Sequence, residues 1–159
     1  MGISVSLEIV NEPTVRRWLG EIRGREVPRA RRRLVRRVSR SALLRTIENN
    51  PVDTARSRAS WVAALEQLGG AAPAGWEGAH PEGAAISEGR SRSGLVESSE
   101  TELTEVVATS GVDYINYLEF GTQRMSPFQM VVRSLQSLRP TVPLQPFFTA
   151  SEDEMGSMV

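Results

Sequence analysis

Residues 28–68 read PRARRRLVRRVSRSALLRTIENNPVDTARSRASWVAALEQL, two helical patterns broken once, at Asn49-Asn50-Pro51. Proline suits a first helical turn and cannot continue an established one, so the first helix is expected from about Pro28 to Glu48. At 100° per residue, Arg29, Arg32, Arg33, Arg36, Arg37 and Arg40 gather on one face, with Leu34, Val35, Val38 and Ala42 opposite. Leu43, Leu44 and Ile47 then rotate onto the face the arginines held, so the helix changes its buried side near residue 42. The second pattern, residues 54–68, carries Trp61, Ala64, Leu65 and Leu68 on one stripe and closes at Gly69-Gly70. Asp53 or Thr54 is the expected N-cap, because a short side-chain oxygen can take an unpaired N–H of the first turn.

Upstream, Ile3, Val5, Leu7 and Ile9 alternate with polar residues, which predicts a half-buried strand over 3–10. Asn11 is a plausible cap for a short helix with the stripe Val15, Trp18, Leu19 and Ile22, ended by Gly24. Downstream, residues 69–94 are rich in Gly, Ala, Pro, Ser and Glu without a sustained period, and read as a long loop or arm. Two short strands are expected at 94–99 and 102–109, the second anchored by Leu103, Val106 and Val107. A compact helix from Asp113 should pack Tyr114, Tyr117 and Leu118 and end at Gly121. Ser126-Pro127 should open a last helix with Phe128, Val131, Val132, Leu135 and Leu138 on one side. Prolines at 140, 143 and 146, then Phe147-Phe148 and the acids Glu152–Glu154, suggest an extended polyproline-like tail. The expected fold class is α+β: a small, mainly antiparallel sheet packed by two or three long helices. It would form a single domain over 1–139, with an arm at 69–94 and a tail at 140–159.

Composition removes several chemistries. All nineteen basic residues are arginine, there is no cysteine, and His80 is the single histidine. Without lysine there is no phosphate-loop NTPase and no Schiff-base enzyme. Without cysteine there is no thiol nucleophile, disulfide framework or thiolate metal site. One histidine leaves little for a Ser/His/Asp site or a histidine-ligated metal, so the expectation is a non-enzyme without cofactor or metal. No basic stretch followed by an apolar run opens the chain, and no segment approaches eighteen apolar residues. A signal peptide and a membrane span are therefore not expected. The charge is segregated: residues 1–60 hold 14 Arg against 6 acids (+8), and residues 61–159 hold 5 against 13 (−8).

Two segments carry a resemblance. The first is Pro51-Val52-Asp53-Thr54-Ala55-Arg56-Ser57-Arg58-Ala59-Ser60-Trp61. The second is Val112-Asp113-Tyr114-Ile115-Asn116-Tyr117-Leu118-Glu119-Phe120-Gly121-Thr122, followed by Arg124-Met125 and Pro127-Phe128. In this order they resemble the tail-completion, or neck, family of long-tailed bacteriophages, similar to the phage minor tail protein Z group. That family carries a Pro-Val-Asp-Thr-Gly motif ending in Arg-x-Ser-Trp, then Tyr-x-x-Tyr-x-Glu-x-Gly-Thr and an apolar helix. The resemblance covers about residues 28–139. Ala55 stands where the family has glycine, which implies that no left-handed backbone is required there. Ser57 stands where leucine is frequent, and the stretch after Trp61 is longer than in compact members. The resemblance implies a structural virion protein assembled in the bacterial host cytoplasm. Copies would close into a sixfold head-to-tail ring, stacked between head-completion or connector proteins and the tail tube or terminator, around passing DNA.

On this reading Pro51, Asp53, Thr54, Arg58, Trp61, Tyr114, Tyr117, Glu119, Gly121 and Thr122 determine the fold, with Gly121 as a positive-φ helix end. Arg58 and Glu119, the charged members of the two motifs, are expected to pair; two solvated surface charges are the plainer alternative. The arginine face at 29–40 has three readings: a solvated face, a subunit interface meeting the acidic half of a neighbour, or a nucleic-acid surface. The last keeps open a regulatory protein that binds nucleic acid through helix 28–48. Trp76 in the arm is either a partner anchor or folds back on the core, and Phe147-Phe148 pose the same choice. His80, with Glu77 and Glu82 nearby, lacks enough rigid ligands for a metal site.

Overall fold

The computed structural model describes residues 12–138 except 54, 101 and 102, and the protein is α+β. The expected strand at 3–10, the Asn11 cap, Thr54 and the tail with Phe147-Phe148 lie outside the described residues. The elements in order are α1 (Glu12–Glu21), a π segment (Ile22–Glu26), α2 (Val27–Asn49), α3 (Arg56–Gln67), α4 (Gly83–Ser91), β1 (Ser93–Ser99), β2 (Thr104–Ser110), α5 (Ile115–Phe120) and α6 (Met130–Leu138). Among the described residues no helix is long and apolar enough to cross a membrane.

Helix α2 begins and ends where the prolines require, but Gly24 does not end the helix before it. The backbone stays helical through Glu21, Glu26 and Val27, and Val27 N–H bonds to Ile22 O, five residues back. Pro28 has no N–H to donate and its ring crowds the carbonyl one turn earlier. Widening the turn just before it lets the helix pass without a break. The expected stripe of α1 is not covered: Trp18 and Leu19 are 41% and 53% exposed.

The core lies between α2 and α3. Leu43 and Ile47 of α2 meet Trp61, Val62, Ala64, Leu65 and Leu68, and Leu44, Trp76, Leu95, Val106, Ala108, Ile115 and Val131 pack around them. Nearly all of α3 from Ser57 to Leu65 is buried, Arg58 being half-buried. Fully burying an aliphatic side chain contributes about 1.5–3 kcal/mol, so this helix is the anchor of the fold. Leu43, Thr46 and Ile47 are buried in the last turns of α2, but the packed side does not switch near residue 42. Leu34, Val35, Val38 and Ala42 are only half-buried, and Arg36 and Arg40 already face the end of α3 on the side that Leu43 and Ile47 continue.

Strands β1 and β2 form an antiparallel hairpin in the register Leu95↔Ala108, Val96↔Val107, Glu97↔Val106 and Ser99↔Thr104. Strict alternation turns Thr104, Val106, Ala108 and Ser110 inward. Of the three expected anchors only Val106 therefore packs inward. Leu103 and Val107 are exposed, and Val107 faces its partner Val96 on the open side of the hairpin. The arm is also more ordered than its composition suggests, since its second half closes as α4 against α3.

The last helix starts at Met130, and Ser126-Pro127 stay in the preceding loop. Its buried face is Met130, Ser134 and Leu138, one turn apart, while Phe128, Val132 and Leu135 face outward. The small Ser134, whose hydroxyl accepts from Asn49 Nδ2 at 3.0 Å, sits at the α2–α6 contact. Tyr117, expected to pack, is likewise exposed.

Candidate functional site

The two motif segments, far apart in the chain, meet at one cleft. Pro51, Val52, Asp53, Ala55, Arg56 and Ser57 form one side, and Tyr114, Leu118 and Phe128 the other, around a volume of about 440 Å³. That size falls within the range of sites that hold a small ligand or a few side chains. Its lining is mixed: Pro51, Val52, Ala55, Leu118 and the rings of Tyr114 and Phe128 stand beside Asp53, Arg56 and Ser57, with Asp53 exposed and Arg56 partly so.

The first wall is made by the corner between α2 and α3. Asn50 leaves the helix in an extended conformation (φ −78°, ψ 124°), as a residue before proline must. Its backbone carbonyl accepts from Arg58 Nε at 2.7 Å, and its side-chain oxygen accepts from Ser57 Oγ at 3.2 Å. Ala55 then turns the chain into α3 with φ 66° and ψ 3°. Contrary to the expectation from an alanine at this position, a left-handed backbone is required here, and Ala55 carries it. An L-residue pays roughly 1–2 kcal/mol for that conformation. Asp53 does not cap α3: the residue at the N-cap is Ala55, which offers no side-chain acceptor.

Arg58 and Glu119 do not pair. Besides Asn50, Arg58 donates from Nη1 to the Trp76 carbonyl at 3.1 Å, so it ties the corner to the arm. Burial lowers its pKa from the usual guanidinium value. Glu119 is buried and accepts from the N–H groups of Val131 and Val132, both at 3.0 Å, so it caps α6. Gly121 has φ 77° and ends α5 as expected; a Cβ there would lie 2.7 Å from Met125 O and 2.9 Å from Pro127 N. Thr122 Oγ1 accepts from the N–H groups of Arg124 and Met125, closing the turn between α5 and the loop. Trp61 is in the core, and Tyr114 lines the cleft.

Trp76 folds back: it is partly buried against the core, with the Arg90 guanidinium 5.8 Å from its ring centroid. Arg90 is itself held by Glu66 at 2.7 Å, a hydrogen bond that raises its pKa.

The arginine face divides. Arg36 and Arg40 donate to the Leu68 carbonyl, at 3.2 Å and 2.7 Å, and so cap the C-terminus of α3, where the helix dipole favours a cation. Arg32 and Arg36 also reach Glu97 on β1, at 2.8 Å and 3.6 Å. Arg29 pairs with Glu26 at 3.6 Å, and Arg29, Arg33 and Arg37 are exposed. The two opposite charge blocks therefore meet within the chain, across α2–β1 and at Arg56–Glu88 (3.1 Å). His80 is exposed, and among the described residues no group of three His, Cys, Asp or Glu could hold a metal ion.

Asn50, Glu88 and Gly89 are structural participants that residue patterns alone do not mark. Arg58→Ala is expected to destabilise the fold by about 1–2 kcal/mol, since two charge-assisted bonds to carbonyls are lost from a half-buried site. Arg58→Lys should not restore it, because one ammonium cannot reproduce the guanidinium fork. Denaturant midpoints of the two variants check this, and wild-type stability in Arg58→Ala would refute the bracket.

Comparison with protein-family models, with curated proteins and with solved structures finds no match for this chain.

Proposed function

We propose that this chain is a structural neck protein of a long-tailed bacteriophage, whose copies close into a ring that completes the tail and joins it to the head. The observation that carries the reading is the cleft itself. The two segments that resemble the neck family, Pro51–Trp61 and Val112–Thr122, line its opposite walls, as expected if they form one architectural unit. Their charged members act as supports, Arg58 on the corner carbonyls and Glu119 on the N-terminus of α6.

The surface adds a second line of support. Three apolar groups stay exposed: Trp18 and Leu19 on α1; Val96, Leu103 and Val107 on the hairpin; and Tyr117, Phe120, Phe128, Val132 and Leu135 around α5 and α6. Separate exposed apolar patches of this kind suit a subunit that meets neighbours on more than one side. In the proposed ring, head-completion and tail proteins stack above and below. Arg37, exposed on α2, can then meet neighbouring acids or make nonspecific contact with DNA in the lumen.

Sedimentation of the purified full chain tests the reading. A closed oligomer is expected at 0.1 M salt; only the part of its stability that comes from exposed charges such as Arg37 should fall at 1 M, where the screening length drops from about 10 Å to about 3 Å. A monomer at every salt and protein concentration would overturn it. A mobility shift with duplex DNA by that monomer would favour the regulatory reading of helix 28–48.

A further inference from the structure

We propose that the cleft is a receptor for residues 140–149 of a second copy of this chain, a tail-in-cleft latch that deepens the ring reading and rests on it. The cleft presents Tyr114, Phe128, Leu118, Pro51 and Val52 on facing walls. Aromatic-lined grooves recognise proline-rich segments because a polyproline helix has little conformational freedom left to lose. The sequence after α6 has that character: Pro140, Pro143 and Pro146 recur every third residue, the period of a polyproline helix, so all three fall on one edge. Phe147-Phe148 follow directly as large apolar anchors, and then the acids Glu152, Asp153 and Glu154. Arg56 supplies a cation in the wall of the cleft, its side chain 36% exposed while it pairs with Glu88.

The ring reading, and not the path of α6, assigns the receptor role to a neighbour's cleft. Phe128 is at the cleft, and α6 carries the chain a further nine residues, about 13 Å, to Leu138. A seven-residue polyproline path would cover about 20 Å, a reach that suffices for a neighbouring subunit. One chain then offers a cleft and a tail, two different patches, as a head-to-tail ring requires.

The natural chain has no cysteine, so disulfide trapping in the full-length protein has no background. One chain carries Asp53→Cys, at the exposed rim of the cleft, and a differently tagged chain carries Thr149→Cys, just past the aromatic pair. Under mild oxidation the mixed disulfide should form at least fivefold faster than in a control pair of Glu105→Cys with Thr149→Cys. Adding Phe147→Ala and Phe148→Ala to the tail chain should bring it down to the control rate. Equal rates for the two pairs would overturn the latch, as would a disulfide closed within one chain when both cysteines are placed in the same molecule. Sedimentation of the same samples separates the two readings. An oligomer without the 53–149 link leaves the ring and removes the latch, whereas a monomer at every concentration removes the ring.

Discussion

Gly89→Ala is expected to destabilise the protein by about 3 kcal/mol, at the upper end of what overpacking a core produces. Gly89 is buried where α4 crosses α3, and a Cβ built on it would lie 2.0 Å from the carbonyl oxygen of Arg56 and 3.0 Å from the Ala59 methyl. The obstacle is backbone in the first turn of a buried helix, so no side chain can swing aside. The two helices must separate, which strains the Arg56–Glu88 and Arg90–Glu66 pairs that span them and the Trp76 ring beneath Arg90. Gly83, at the start of the same helix, has open space around its Cβ position, so Gly83→Ala serves as the control and should be neutral or slightly stabilising. Urea midpoints at unchanged slope read the difference. If Gly89→Ala unfolded within about 0.5 kcal/mol of wild type, the close α3–α4 crossing would be wrong.

That same glycine explains why α4 was not legible in the sequence. Residues 83–91, GAAISEGRS, have too few apolar positions to show a period, and two glycines argue against a helix. What makes the helix is a tertiary gain: without a Cβ at 89 it approaches α3 closely enough to bury Ala85 and Gly89. Helices α2 and α3 were legible for the opposite reason. Their boundaries are covalent facts about proline, and Leu43, Ile47, Trp61, Leu65 and Leu68 repeat at helical spacing along a face that the core covers. Between these extremes lie α1, β2 and α6, whose apolar residues were visible but whose covered face was not. Short elements such as α6 carry apolar residues on two sides, and periodicity alone does not say which side meets the core.

The roles of the charged residues escape the sequence for a related reason. A helix wheel groups Arg32, Arg36 and Arg40 with Arg29, Arg33 and Arg37, but it cannot see that α3 ends beside Arg36 and Arg40 or that Glu97 of β1 lies beside Arg32. Guanidinium groups that look like a surface stripe there become donors to the Leu68 carbonyl and partners of Glu97. The left-handed Ala55 shows the converse: glycine is the easy residue for that turn, but the buried corner between Asn50 and Arg56 imposes it on alanine.

Glu119→Ala is expected to destabilise by about 2–3 kcal/mol, because the carboxylate is buried and serves two backbone N–H groups of α6 at once. The backbone that leads into α6 is fixed from the same turn. Phe128 N–H is already committed to Leu118 O at 2.9 Å and Gln129 N–H to Glu119 O at 3.3 Å, and Gln129 holds φ 53° to bring the chain into the helix. Glu119→Gln keeps one acceptor, loses the charge that favours a helix N-terminus, and should fall between, near 1 kcal/mol. Amide exchange gives the local signature: the Val131 and Val132 amides should lose protection before those of α3. The double variant Arg58→Ala with Glu119→Ala decides between the two roles proposed for this residue. A carboxylate that caps α6 and a guanidinium that ties Asn50 to Trp76 share no partner, so their effects should add within about 0.5 kcal/mol. A coupling of 1 kcal/mol or more would restore the motif ion pair and remove the cap.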